Sequence, residues 1–182
     1  EDHLLEIGTG WGGMALYAAK HTGCRVTTTT ISREQYDEAK ARVEAEGLSD
    51  RITLLLKDYR DLQGQFDKLV SIEMIEAVGR AYWPTYFQTI ARLLKPGGQA
   101  CIQSIVIADA HFDRYVRGTD FIQQYIFPGG FLPSTQTFIE QAKDAGLLVV
   151  DQLAFGLDYA ETLKRWRESF VQIAHQLPAM GY

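Results

Sequence analysis

An apolar segment that runs directly into four closely spaced glycines constrains this chain more than any other feature. Residues 3–7, HLLEI, predict a buried strand, and residues 8–13, GTGWGG, predict a tight turn into a helix. Glycine lets the backbone turn sharply and approach a ligand where a Cβ would collide. The N-terminus of the following helix would then face that ligand. The pattern favours a nucleotide-cofactor loop, although a strand-to-helix turn without a ligand would use the same glycines.

The acid at position 6 distinguishes between the cofactors that such a loop binds. Gly8, Gly10 and Gly13 also satisfy the G-x-G-x-x-G spacing of dinucleotide sites. Glu6 would repel the pyrophosphate of a dinucleotide, but it would attract the ammonium group of a methionine. The ribose-binding acid of dinucleotide sites is expected about 20 residues further on, where residues 26–31 are VTTTTI. The sequence therefore favours S-adenosylmethionine over NAD.

Size, charge and cysteine content indicate one globular domain whose cysteines are reduced. The chain has 182 residues, enough for one domain with a sizeable core. Its net charge of −5 removes the electrostatic case for a nucleic-acid partner. Cys24 and Cys101 are both expected in the core, which favours a cytoplasmic protein without a disulfide framework. No apolar run is long enough to span a bilayer, so any contact with the inner membrane surface would be peripheral. The ends, which lack an initial Met, suggest truncation on both sides.

Strand-like and helix-like segments alternate along the chain, which is typical of a parallel sheet covered by helices. Parallel sheets of this kind bind ligands at the carboxyl ends of their strands. The expected later strands are residues 24–31, 52–56, 66–72, 100–107 and 147–153, and the expected later helices begin near residues 33, 82, 134 and 159.

Polar side chains follow the second and third expected strands. Thr30 and Gln35 are suited to bind ribose hydroxyls, but a strand end and a helix cap would also explain them. Asp58 and Tyr59 are suited to meet the amino group and the ring face of adenine, and an ordinary loop turn is the alternative. The residues alone leave both pairs of alternatives open.

Two acids and a long aromatic segment follow the fourth and fifth expected strands. Glu73 and Glu76 lie beside an apolar run, where acids are costly unless they are exposed or used. Residues 108–133 form an insertion, which is typical of a lid or binding loop but is also consistent with a peripheral core. The aromatic residues of this insertion are Phe112, Tyr115, Phe121, Tyr125, Phe127 and Phe131.

Residues 125–134, YIFPGGFLPS, resemble the insertion signature of the cyclopropane-fatty-acyl-phospholipid synthases, which are relatives of the mycolic acid cyclopropane synthases. Shorter motifs fall in the order of that family, so the resemblance covers nearly the whole chain. They are residues 10–13 (GWGG), 30–32 (TIS) with Gln35, 58–62 (DYRDL), Glu76 with 78–79 (VG), 86–87 (YF), 94–98 (LKPGG), and 155–156 (FG) with Tyr159.

The resemblance implies a class I methyltransferase fold: a Rossmann-like, mostly parallel sheet with helices on both faces and an insertion after the fifth strand. It implies a single domain over residues 1–182 and assigns three groups of cofactor-binding residues. These are Glu6, Gly8, Thr9, Gly10, Trp11 and Gly12 for the methionine end, Thr30 and Gln35 for the ribose, and Ile31, Asp58 and Tyr59 for the adenine. It also implies a bicarbonate ion in the active site, bound by Glu76, the backbone of Ile105 and the Tyr159 hydroxyl.

The implied activity is transfer of a methyl or methylene group from S-adenosylmethionine to the double bond of an unsaturated phospholipid acyl chain. Methylation of an alkene leaves a carbocation, so the site must exclude water and provide a base. Two alternatives remain: a small-molecule N- or C-methyltransferase of the same fold, and a cofactor-binding module without turnover. Neither a metal site nor an oligomeric state is indicated, since the four histidines lack metal-ligand spacing.

Three departures from the family pattern concern the chemistry. Gln103 stands where the family has a histidine that binds bicarbonate, and an amide carries no charge near neutral pH. Thr9 replaces a common cysteine of the glycine loop, which we expect to leave cofactor binding intact. The N-terminal segment of the family, with a further active-site cysteine, is not in this sequence. Turnover by residues 1–182 alone is therefore not implied.

Overall fold

Five parallel strands form the sheet of this chain, for which the computed structural model describes residues 2–181. The strands are β1 (His3–Ile7), β2 (Arg25–Thr30), β3 (Ile52–Leu56), β4 (Phe66–Ile72) and β5 (Leu94–Gln103). Their order is β3-β2-β1-β4-β5, and each neighbouring pair is parallel. The order reverses at β1, which lies between β2 and β4. This reversal creates the crevice at the carboxyl ends of β1 and β4 where such sheets bind ligands.

Seven α-helices accompany the sheet in the described residues. They are α1 (Gly13–Thr22), α2 (Arg33–Ala45), α3 (Ile75–Val78), α4 (Trp83–Leu93), α5 (Asp109–Val116), α6 (Thr135–Asp144) and α7 (Gly156–Ile173). Short 3-10 turns occupy Tyr59–Asp61, Arg80–Tyr82 and Ala174–Met180, and a π-helical turn occupies Ile122–Ile126. The chain divides into two compact units, one that runs to Leu148 and one that begins at Val149.

Helices cover both faces of the sheet, as expected. Val26 of β2 packs in a buried cluster with residues of α1 and α2, and its register partner Leu4 faces the same cluster. Leu5, one position along, points to the opposite face because side chains alternate along a strand. On that side of the fold, α4 packs on β5 and buries its aromatic residues, and Phe87 meets Phe138 of α6 edge to face at 4.9 Å.

The fifth strand does not have the expected bounds. It begins at Leu94 rather than Ala100 and ends at Gln103 rather than Ile107. The register jumps from the pair Phe66–Leu94 to the pair Lys68–Gln99, so residues 95–98 (KPGG) bulge from the strand instead of preceding it. β5 is also an edge of the described sheet, which explains why Cys101 is exposed rather than in the core.

The expected strand at residues 147–153 was wrong. No strand is assigned there, and Leu148, Val150 and Leu153 are 81 to 84% exposed. Alternating apolar residues favour a strand, but a strand forms only where a neighbouring backbone completes its hydrogen bonds. None of the described strands pairs with this segment.

The second unit is dominated by α7, whose apolar residues recur at spacings of three and four and form one stripe. Leu163, Trp166 and Phe170 on that stripe are about half exposed. Glu161 binds Arg165 at 3.0 Å on the same helix. Within residues 2–181, no helix combines the length and the apolar content needed to cross a bilayer.

Candidate functional site

The glycine loop between β1 and α1 is held over the end of β2 by its own backbone. The amides of Gly8 and Thr9 both donate to the carbonyl of Thr29, at 3.1 and 3.0 Å. Gly8, Gly10 and Gly12 have φ values of 97°, 51° and 85°. Residues other than glycine adopt such values only at a cost in conformational free energy. The loop therefore has the conformation that the glycine spacing predicted.

Two glycines of this loop differ in what surrounds them. A Cβ built on Gly12 would lie 3.1 Å from the Cβ of Ala39, so Gly12 is required for packing of α1 against α2. No described atom lies within 4 Å of a Cβ built on Gly10. Gly10 therefore borders open space above the loop. Trp11 beside it is exposed, before the first turn of α1.

Glu6 lies beneath the loop and is only 3% exposed. The Thr28 hydroxyl donates to Glu6 Oε2 at 2.6 Å, and the Thr28 and Thr9 hydroxyl oxygens are 2.7 Å apart. Burial raises the pKa of Glu6 to about 7, although the Thr28 hydrogen bond opposes this shift. A cation bound next to Glu6 would restore the ionised form. The acid is thus built to respond to a positively charged ligand.

The residues expected to bind the ribose meet at the end of β2. The Thr30 hydroxyl donates to Gln35 Oε1 at 2.9 Å and accepts from the Ser32 amide at 3.1 Å. The Gln35 amide donates to Ser32 Oγ at 3.2 Å, so Gln35 also belongs to the cap of α2. Ile31 is largely exposed next to them. The structure therefore brings this group together, with a local structural role for Gln35.

The residues expected to bind adenine follow β3. The Asp58 carboxylate accepts from the Arg60 amide and binds the Arg60 guanidinium at 2.9 and 2.7 Å. These hydrogen bonds lower the pKa of Asp58. The Tyr59 ring packs edge to face on buried Tyr86 at 5.8 Å. Asp58 thus stabilises its own turn independently of any ligand.

The turn after β4 places a buried acid beside the glycine loop. Met74 begins this turn, and its Cγ would lie 3.5 Å from a Cβ built on Gly8. Glu76, two residues later on α3, is 7% exposed, and its Oε1 accepts from the Ile105 amide at 2.5 Å. Glu76 Oε2 is buried and has no hydrogen-bond partner among the described residues. A buried carboxylate oxygen without a partner is costly in the absence of a ligand or a proton.

The other acid of this turn makes a contact that the sequence analysis missed. Gln103 Nε2 donates to Glu73 Oε1 at 2.9 Å, and the Glu73 amide donates to the Gln103 carbonyl at 2.9 Å. The available signal was the position of each residue at the end of a neighbouring strand. Tyr159 lies on α7 in the second unit, and its part in the site remains a prediction.

The insertion at residues 108–133 is tied to the site at its base. The Ile107 amide donates to the Pro133 carbonyl at 3.0 Å, which brings the two ends of the insertion together. The Phe131 amide donates to the Glu76 carbonyl at 2.9 Å. The insertion therefore helps to fix the backbone of Glu76.

The insertion has one packed part and one exposed part. The Phe131 ring lies 4.8 Å from the Tyr115 ring and 5.8 Å from the Trp83 ring, which forms a small peripheral core. Phe121 and Tyr125, in contrast, are 64 and 65% exposed around the π-helical turn. Part of the insertion is thus a peripheral core, and a role of the exposed part as a lid or binding loop stays a prediction.

Comparisons with known proteins agree with the resemblance found in the sequence. The family model described as "Mycolic acid cyclopropane synthetase" matches residues 1–181. The chain is 44% identical over 181 residues to tuberculostearic acid methyltransferase UfaA1 of Mycobacterium tuberculosis (strain ATCC 25618 / H37Rv). This match covers 99% of the chain and 42% of the relative. The chain is also 41% identical over 170 residues to cyclopropane-fatty-acyl-phospholipid synthase of Escherichia coli (strain K12). This second match covers 92% of the chain and 42% of the relative.

Solved structures confirm the fold class. The mycolic acid cyclopropane synthase CmaA1 complexed with SAH and CTAB matches with a TM-score of 0.85 and 26% identity, over 98% of this chain and 66% of that one. The cyclopropane synthase MmaA2 from Mycobacterium tuberculosis has the same fold, with a TM-score of 0.88 at 22% identity over the same shares of the two chains. This chain spans less than half the length of the curated relatives described above. On the match over residues 1–181 and the identity to these relatives, the chain belongs to the mycolic acid cyclopropane synthetase family.

Proposed function

We propose that this chain forms the catalytic domain of an S-adenosylmethionine-dependent enzyme that adds a methyl or methylene group to the double bond of an unsaturated phospholipid acyl chain. One observation carries the proposal: the buried, unpartnered Oε2 of Glu76 lies on the same turn as Met74, whose Cγ would be 3.5 Å from a Cβ built on Gly8 of the glycine loop. Under this proposal, the carboxylate would lie near the methyl group of the bound cofactor. The names of the two curated relatives support the acyl substrate.

The loop and the ends of β2 and β3 would hold the cofactor. Glu6 would bind the methionine ammonium group, with Gly8, Thr9, Gly10, Trp11 and Gly12 surrounding the rest of the methionine end. Thr30 and Gln35 would bind the ribose, and Ile31, Asp58 and Tyr59 would bind the adenine. Support comes from their common position along the carboxyl edge of the sheet, where helix α1 also begins.

The chemistry requires a base but no reductant. When bound, S-adenosylmethionine supplies a methyl group carried on a positively charged sulfur. Transfer to the alkene uses the electron pair of the double bond and leaves a carbocation on the acyl chain. Loss of a proton from that cation leaves the C–H electrons to close a cyclopropane ring or to form a new double bond. Glu76 Oε2 is suited to accept this proton because it is buried and has no other described partner.

The proposed reaction does not use the bicarbonate ion that the resemblance implies, because Gln103 and the Ile105 amide, two of the donors at the expected site, already bind carboxylates of the chain. Gln103 and the Ile105 backbone instead position Glu73 and Glu76. On the resemblance alone, the Tyr159 hydroxyl is kept as a further residue of the active site. We place the enzyme in the cytoplasm, with peripheral contact at the inner membrane surface.

Lipids from cells that express the full-length protein should gain the mass of one CH2 group on unsaturated acyl chains. Glu76→Gln should leave binding of S-adenosylhomocysteine within about threefold, but it should lower turnover by about 100-fold because the general base is lost. Lipid mass spectrometry and isothermal titration measure the two effects. Glu44→Gln, at an exposed position of α2, is the control and should change neither. A mass gain on a small amine instead of a lipid would favour the alternative methyltransferase, and an unchanged rate in Glu76→Gln would remove its assigned role.

Residues around the π-helical turn should contribute to lipid binding. Full burial of an exposed apolar side chain in an apolar phase contributes about 1.5 to 3 kcal/mol of favourable transfer free energy. Replacing both Phe121 and Tyr125 with serine should therefore weaken binding of the full-length protein to phosphatidylglycerol vesicles by about tenfold or more. Co-sedimentation measures this change. Tyr17→Ser is a matched control, since Tyr17 is 62% exposed on α1. Equal weakening by the control would show that the insertion has no special part in lipid binding.

A further inference from the structure

Two carboxylates of the turn after β4 are fixed by the same short segment at the end of β5. Gln103 Nε2 donates to Glu73 Oε1 at 2.9 Å, and the Ile105 amide donates to Glu76 Oε1 at 2.5 Å. The two acids are three residues apart in the sequence, and the same strand end holds both of them. The turn and the strand end thus form one cluster, the acidic cluster of Glu73, Glu76 and Gln103.

The backbone of Glu73 indicates that this arrangement is specific. Among the described residues, Glu73 is the only one other than glycine with φ in the left-handed region, at 49°. Such a conformation costs free energy and persists where surrounding contacts impose it. Here Gln103 imposes it twice, because its side chain donates to the Glu73 carboxylate and its carbonyl accepts from the Glu73 amide. Strain of this kind is concentrated at functional sites.

The residues of the acidic cluster do not fit a bicarbonate ion. An anion needs hydrogen-bond donors, and two of those at the expected site, Gln103 in place of the family histidine and the Ile105 amide, already bind carboxylates of the chain. A third negative charge would be repelled by both Glu73 and Glu76. Gln103 cannot offset this repulsion, since an amide does not become positively charged.

We propose that this enzyme works without bicarbonate, because the Glu73 carboxylate, held by Gln103, provides from within the chain the negative charge that a bound anion would otherwise supply. The inference rests on the proposed function. Glu73 acts as a positioning residue: its bonds to Gln103 fix the end of β5, which in turn holds Glu76 through the Ile105 amide. The proton from the acyl cation passes to Glu76, whose carboxylate becomes a carboxylic acid while the C–H electrons remain on the substrate.

The response of turnover to bicarbonate tests this proposal in the full-length protein. The rate of the wild-type enzyme should change by less than about twofold between bicarbonate-depleted and bicarbonate-rich buffer. Glu73→Gln keeps a hydrogen-bonding side chain but removes the charge, and its rate in depleted buffer should fall by about tenfold or more. Glu73→Gly combined with Gln103→His removes one acid and introduces a titratable donor. Its rate should rise by at least about tenfold when bicarbonate is added.

The double variant should fold, because glycine adopts the φ of residue 73 more readily than glutamate does. Glu44→Gln and Gln65→His make the same types of change at exposed positions and should leave the bicarbonate response unaltered. Carbon-13 NMR of labelled bicarbonate gives a readout that does not depend on turnover. Its line should stay narrow with the wild-type protein and broaden with the double variant.

Two results would overturn the inference. One is a wild-type rate that collapses in depleted buffer and recovers with bicarbonate, and the other is broadening of the bicarbonate line by the wild-type protein. If no lipid is methylated under any condition, the proposed function fails instead, and the NMR titration still decides whether the site binds bicarbonate.

Discussion

Replacing Gly10 with valine is expected to abolish binding of S-adenosylhomocysteine, with a loss of affinity of at least about 100-fold. Gly10 borders open space above the loop, with no described atom within 4 Å of an added Cβ. Under the proposed function, this space belongs to the cofactor, and a branched side chain would occupy it. Gly10→Ala, which adds one carbon, should lose less affinity than Gly10→Val.

Gly47→Val is the matched control for this substitution. Gly47 also has a positive φ, at 67°, and open space around its added Cβ, but it lies after the C-terminus of α2. Both valine variants therefore carry comparable backbone strain, which thermal unfolding measures. Isothermal titration should show binding by Gly47→Val and none by Gly10→Val. Equal affinities in the two variants would show that the cofactor does not occupy the space at Gly10.

Replacing Glu6 with glutamine should weaken binding of S-adenosylhomocysteine by roughly 10- to 150-fold, since a hydrogen bond to a charged group contributes about 1.5 to 3 kcal/mol. The wild-type affinity should also depend on pH. The pKa of Glu6 is about 7, so the carboxyl is protonated below that pH and must release its proton to pair with the ammonium group. Affinity should therefore fall as pH decreases below about 7, by up to about tenfold per unit, whereas Glu6→Gln should show little such dependence.

The same substitution should have the opposite effect on stability in the absence of ligand. The folded pKa of Glu6, about 7, is higher than its ordinary value of 4.5, so the folded state binds the proton more tightly than the unfolded state. Its contribution to the free energy of unfolding therefore decreases as pH rises from about 4.5 to about 7. At about pH 8, Glu6→Gln should raise the free energy of unfolding by about 2 to 3 kcal/mol. Thermal unfolding at about pH 8 and about pH 5 measures this, and the gain should fall below about 1 kcal/mol at the lower pH.

Glu44→Gln is the control for both measurements, because Glu44 is exposed on α2. A variant at Glu6 that binds the ligand as well as the wild type would contradict the role of the acid in recognising an ammonium group. A variant that binds weakly but gains no stability would leave that role intact and contradict the cost assigned to burial.

Local signals explain why most of the fold could be predicted from the sequence. The strands β1, β3 and β4 have the predicted bounds, and β2 is one residue shorter at each end, because short apolar runs flanked by breakers leave few alternatives. The breaker at residues 95–98 was misleading because a parallel strand can accommodate such residues as a bulge. The segment at residues 147–153 was misleading because alternation describes a strand's faces but not its partner.

The positions of the candidate site residues along the sheet could be predicted from the sequence, but one contact between their side chains could not. Glu6, Thr30 and Asp58 could be placed at the carboxyl edge because each follows or ends a recognisable strand. The contact between Glu73 and Gln103 could not, because it depends on the register that pairs Ile72 with Gln103 across β4 and β5. A shift of one residue would turn Gln103 to the other face of the sheet.

The insertion leaves and rejoins the domain at neighbouring points, since Ile107 bonds to Pro133 and forms a bridge with Ser134. A segment anchored in this way can be exchanged between enzymes without rerouting the polypeptide around it. The hydrogen bond from Phe131 to the Glu76 carbonyl sets the one condition on such an exchange. Under the proposed function, replacement of the insertion during evolution would therefore change the acceptor molecule, while the residues around the glycine loop stay the same.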